Sequence, residues 1–105
     1  MSEIWKYRLD PNGPECVRGP PEQREPASLY CFEFPTRGSP RVLSAQVQGG
    51  HPNIWAEVDT TAPESVMKFE VYPTGTECDL SGLVFVGTCQ VDGGIVLHVF
   101  QRGWT

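Results

Sequence analysis

A chain of 105 residues is expected to form a single domain, 1-105, burying roughly 65% of its unfolded surface in one modest core. A hydrophobic share of 39%, with three Trp, three Tyr and five Phe, argues against an intrinsically disordered protein. Eight Lys and Arg against 13 Asp and Glu give a net charge of −5, which argues against a phosphate-tracking, direct DNA binder.

Glu3 to Leu9 reads as a first strand, with Trp5, Tyr7 and Leu9 on one face and Lys6 and Arg8 on the other. The pattern then stops. Asp10 to Ala27 holds five of the ten prolines and no apolar periodicity, and reads as a Pro-rich insertion loop at 10-27 on the surface. Loops of this length in compact domains are mobile or functional. Pro20-Pro21 stiffens it toward polyproline geometry, and Arg18 and Arg24 are its candidate contacts if it serves as a partner-binding arm.

Ser28 to Phe34 is a second strand, alternating Tyr30, Phe32 and Phe34 with Leu29, Cys31 and Glu33, and Pro35 is expected to end it. Arg41 to Gln48 is a third, with Leu43, Ala45 and Val47 on one side. Gly49-Gly50 turns the chain into a fourth, Pro52 to Asp59, with Ile54, Ala56 and Val58 toward the core and Trp55 on the other face. Val66 to Tyr72 is a fifth, with Met67, Phe69 and Val71 on one face. Pro73 to Gly82 is a loop in which Asp79 to Gly82 has room for one helical turn.

Leu83 to Gln101 closes the chain as a hairpin, since Asp92-Gly93-Gly94 separates two β-branched and aromatic runs and the glycines accept positive φ. Both runs are apolar on both faces, which places this hairpin at the centre of the core. No segment carries a helical period. The fold class is all-β, a small antiparallel β-sandwich or partly closed barrel of about seven strands, with sequential pairing as the simplest topology. Charges in the first strand and prolines at strand ends would blunt the sheet edges, and an unblunted edge would favour a homo-oligomer.

No apolar run reaches the roughly 18 residues of a membrane span, and the N-terminus lacks a basic region followed by an apolar stretch. A cytoplasmic location is therefore expected, where Cys16, Cys31, Cys78 and Cys89 stay reduced. They show no Cys-x-x-Cys spacing and the two histidines are isolated, so no metal site and no cofactor is expected.

His51 follows Gly49-Gly50 in a turn and reads as an exposed contact residue. His98 shares a face with Val96 and Phe100 and reads as a hydrogen-bonded core residue. No Gly-x-Ser-x-Gly, His-Glu-x-x-His or phosphate-cradling loop occurs, so the chain reads as a non-enzyme with no catalytic residue.

Binding features stand out more. Glu57 to Asp79 carries six acids, among them Glu57, Asp59, Glu70 and Glu77, against Lys68. That stretch is either a solvated face or an acidic patch for a basic partner. Glu57 and Asp59, two apart on a strand, project to one face with Trp55. Arg102 and Trp104 in the last residues suit a clamp, a partner anchor or stacking on a nucleotide base.

The runs Ile4-Trp5-Lys6-Tyr7, Arg41 to Gly50, Ile54 to Asp59, Phe69 to Gly75, Phe85-Val86-Gly87-Thr88 and Leu97 to Phe100 resemble an uncharacterised family of small bacteriophage and prophage proteins, a domain of unknown function. The resemblance covers about residues 1-9 and 41-101. Members usually join the first two strands by a short stretch, so Asp10 to Ala27 is where a member-specific role would be added. The family carries no established catalytic residues, and none is transferred.

The resemblance implies a phage product in the cytoplasm of an infected bacterial host. The function expected from it is non-catalytic binding and inhibition of a host protein or protein complex, an antiviral defence component. Two alternatives accompany it: a sponge for a cyclic or small nucleotide signal, and a virion or assembly accessory protein.

Overall fold

Alternation at period 2 decides which side chains enter the interior. The structure, a computed structural model, describes residues 1–17, 30–76 and 78–103, so Arg18, Arg24, Glu77 and Trp104 lie outside the described residues. Among the described residues, eight strands form: β1 (Ser2–Arg8), β2 (Cys16–Val17), β3 (Tyr30–Arg37), β4 (Arg41–Gln48), β5 (His51–Asp59), β6 (Glu64–Pro73), β7 (Leu83–Gln90) and β8 (Val96–Arg102). They build two antiparallel sheets, β1-β5-β4 and β2-β3-β6-β8-β7, which pack as a sandwich and do not close into a barrel.

The core lies between the sheets. Tyr7 and Leu9, with Ile54, Ala56 and Val58 of β5, face Phe32 and Phe34 of β3, Met67, Phe69 and Val71 of β6, and Val99 of β8. The Phe34 ring meets Tyr7 edge-on at 5.2 Å and Phe69 at 6.0 Å, so one aromatic ring touches both sheets. A polar tie accompanies it: the Tyr7 hydroxyl and Thr36 Oγ1 are 2.8 Å apart, both buried. Burial pushes the Tyr7 hydroxyl above its ordinary range, against a smaller opposing effect of the Thr36 bond.

Five expectations need correction. Pairing is not sequential, because β1 pairs with β5, β3 with β6 and β6 with β8. Cys16–Val17, in the stretch expected to be all loop, adds a short strand to the edge of β3.

Pro35 does not end β3, which continues to Arg37. The Glu33 amide points toward β2, donating to the Glu15 carbonyl at 2.9 Å. Two residues on, the Pro35 nitrogen points the same way, past the end of β2, where no ladder bond is lost.

The closing hairpin is not central. β8 is interior, but β7 is the outer edge of its sheet, with Val84 61% and Phe85 57% exposed. A strand apolar on both faces fits burial and fits an overhanging edge, and local sequence does not separate the two.

A bulge between Val42 and Ser44 also breaks the alternation of β4, so Val42 and Ala45 pack on the core while Leu43 is turned out. The β4–β5 turn is as read: Gly49 and Gly50 have φ of 63° and 81°, a pair of values suited to a tight hairpin. Buried Asn53 holds this turn, donating Nδ2 to the carbonyls of Gln48 and His51 at 3.1 and 2.9 Å.

Candidate functional site

The four sheet edges differ in how they are protected. β2 is two residues long. β1 carries Glu3, Lys6 and Arg8, and β4 carries Arg41 and the bulge at Leu43. Short strands, charges and bulges all discourage pairing with another chain. β7, Leu83-Val84-Phe85-Val86-Gly87-Thr88-Cys89-Gln90, has no charge and no proline over eight residues.

Part of that edge is covered within the molecule. A bulge lies between Phe85 and Gly87, and a Cβ built on Gly87 would stand 3.1 Å from the Ala45 Cβ of β4. The open part is Leu83 to Val86. Here Val84 and Phe85, alternating to opposite faces, are both exposed, and Leu80 in the preceding loop is exposed too. Each side of this edge strand thus carries an exposed apolar side chain, and the strand has one ladder partner, β8, among the described residues.

The Phe85 side of this edge rests on the outer face of the sheet. Register sets Phe85 opposite Phe100, with ring centroids 5.6 Å apart, and Phe100 meets Tyr72 at 5.9 Å. Beneath them Glu70, 7% exposed, accepts from Arg102 Nε at 2.7 Å, from Arg102 Nη2, and from the Tyr72 hydroxyl at 2.5 Å. The carboxylate is thus fully paired on the outer side of the sheet.

The predicted contact residues separate into three places. Glu70 and Arg102 come together on the outer face of the five-stranded sheet. Trp55, Glu57 and Asp59 lie on the outer face of the three-stranded sheet, where Arg41 Nε donates to Glu57 at 3.1 Å. Asp59 accepts from the Thr61 hydroxyl and amide at 2.6 and 2.9 Å, and these bonds hold its carboxyl below the usual range. His51 opens β5 beside a cleft at one end of the sandwich. The acids of the 57–79 stretch therefore do not form one patch, since two sheets carry them and Glu70 is buried in an ion pair.

Arginines are likewise dispersed. Arg37 pairs with Glu64, Arg41 with Glu57 and Arg102 with Glu70. His98 sits on the outer face, half-buried between two threonines, with Nε2 2.6 Å from Thr74 Oγ1 and Nδ1 3.0 Å from Thr88 Oγ1. No group of three or more His, Cys, Asp or Glu among the described residues is placed to hold a metal ion.

The cleft has a volume of about 250 Å³. Its floor is Leu9, Phe32 and Val71, and its walls include Tyr30, Ile95 and Leu97. Gly50, His51 and Pro52 close one side. His51 Nε2 stands 4.0 Å from Asp10 Oδ1.

The sequence reading missed Leu80, Val84 and Phe85. The available signal is the absence of any charge or proline from Leu83 to Gln90, a pattern that burial and an open edge share.

A family model described as a domain of unknown function, DUF7352, matches residues 1–104. The chain belongs to this family. No curated protein and no solved structure matches it.

Proposed function

We propose that this family member acts by non-catalytic, stoichiometric binding of a protein, and that the contact is an extended partner segment laid along the open part of β7. The supporting observation is the edge itself: four residues from Leu83 to Val86, uncharged, with Val84 and Phe85 exposed on opposite sides. An added strand takes its affinity from main-chain hydrogen bonds and its selectivity from side chains falling alternately on the two faces. Here one partner side chain packs with Val84 and the next with Phe85. The net charge of −5 favours a segment with flanking Lys or Arg.

A further step names the partner as a host protein or complex, an antiviral defence component, inhibited by occupancy in the cytoplasm of an infected bacterium. Its support is the resemblance to phage and prophage proteins.

The test is affinity capture from infected cells with wild type and with Phe85→Lys and Val84→Lys. Val84 is exposed, so Val84→Lys is expected to change stability by about 0.5 kcal/mol or less, while Phe85→Lys loses the edge-on contact with Phe100 and is expected to cost about 1 kcal/mol. One specific protein is expected to be retained by wild type and lost at least tenfold by both variants, with slowed amide exchange at Leu83 to Val86 in the purified complex. Loss instead with Glu57→Lys, with the β7 variants unaffected, overturns the assignment. So does a β7 variant that changes self-association alone.

A further inference from the structure

The cleft at the end of the sandwich is a second opening of the fold, independent of the β7 edge. Three elements converge on it: Leu9 and Pro11 after β1, the β4–β5 turn, and the β7–β8 hairpin through Val91, Ile95 and Leu97. Its floor residues Leu9, Phe32 and Val71 are buried core side chains, so the opening reaches the interior of the protein. About 250 Å³ is below the range for drug-sized ligands, roughly 300–1,000 Å³. It exceeds the roughly 150 Å³ apolar cavity that admits one benzene ring. Its size therefore suits one fused or substituted aromatic ring.

The rim sets the polarity of the occupant. His51 and Tyr30 are the polar side chains in the lining, and the His51 ring nitrogen can meet a hydroxyl or ring N–H. Two carboxylates stand beside it. Asp10 lies 4.0 Å from His51 Nε2, and Asp92 Oδ2 lies 3.5 Å from where a Cβ on Gly50 would be. No Lys or Arg among the described residues is in the lining. Arg8 Nη2, 3.8 Å from where a Cβ on Gly49 would be, offsets one of the two acids, so a negative ligand still meets a net like charge at this rim.

We infer that the cleft binds a small planar aromatic molecule that carries no negative charge, with its ring against Phe32, Tyr30 and Leu97 and its polar group at His51.

Three probes with one ring and three charges test this: indole, tryptamine and indole-3-acetate, titrated into the full chain by ¹⁵N-resolved NMR. Indole and tryptamine are expected to bind with Kd below about 1 mM, and indole-3-acetate at least tenfold more weakly. Amide shifts should centre on Tyr30, His51, Ile95 and Leu97. Asp10→Asn should narrow the difference between the charged probes by about threefold. Leu97→Trp should abolish indole binding, and His51→Ala, at a half-buried position, gives a second variant should Leu97→Trp fail to fold. Absence of indole binding, tightest binding of the acid, or shifts centred elsewhere each overturns the inference. Phe85→Lys should leave these affinities unchanged, which separates this site from the β7 edge.

Discussion

Glu70 and Arg102 form an ion pair across β6 and β8, offset by two residues from the direct pair Glu70–Phe100, with Arg102 Nε 2.7 Å from Glu70 Oε2. Glu70 is buried and Arg102 is nearly half exposed, so the two partners are not equivalent. Removing Arg102 strands a carboxylate. Removing the charge of Glu70 leaves a guanidinium that water can reach.

Arg102→Ala is accordingly expected to cost about 2 kcal/mol, below the range for a fully buried pair because Arg102 is partly solvated. Glu70→Gln should cost less. Adding Glu70→Gln to Arg102→Ala should recover part of the loss, since the amide leaves no unpaired charge. Urea denaturation of the three variants measures this, and strictly additive effects would contradict the coupling.

Gly87→Ala tests the contact between the two sheet edges. The new methyl would meet the Ala45 methyl at 3.1 Å, closer than van der Waals contact. A destabilisation of about 1 kcal/mol is expected. Ala45→Gly in the same chain should relieve most of it, a rescue that thermal melts of the double variant would show.

Acid stability should depend on Asp59. Hydrogen bonds from Thr61, aided by the N-terminal amine at 3.6 Å, hold its folded pKa below the ordinary 3.8. Its contribution is therefore full above about pH 4 and is lost as pH falls through the lowered folded value. Thr61→Val should move that loss to higher pH and leave the stability slope between pH 5 and 7 unchanged. Asp79, held down in the same way by Ser81, should respond likewise to Ser81→Ala through loss of its side-chain bond. Melting temperatures from pH 2 to 7 read both effects.

No disulfide joins the four cysteines, and their thiols should react in order of access. Cys78 is exposed and should be alkylated first at pH 8, with Cys16 and Cys31 following. Cys89 is buried, and burial pushes its thiol above its usual range, so it should react last and only on opening of the fold. Mass spectrometry of partially alkylated protein gives the order. Early modification of Cys89 would mean that β7 detaches readily from β8.

Much of the fold was legible from local pattern. Tyr7 with Leu9, Ile54 with Ala56 and Val58, and Met67 with Phe69 and Val71 were assigned to the correct faces, because a strand sends alternate side chains to opposite sides whatever it pairs with. Gly49-Gly50 was legible as a turn for an equally local reason, its need for positive φ. The sites were legible less well. Sequence marks His51 as a contact but not its cleft, and it places Glu70 among surface acids although Glu70 is a buried ion-pair partner.

Sequence alone thus determined strands, faces and turns, which depend on a few neighbouring residues. Only the tertiary structure decided strand order, and with it every property of an edge. Whether Val84 and Phe85 are covered depends on which strand lies beyond β7, and whether Pro35 breaks β3 depends on how far β2 extends. Hydrogen bonds between strands distant in the chain make those choices, and the residues within one strand do not encode them.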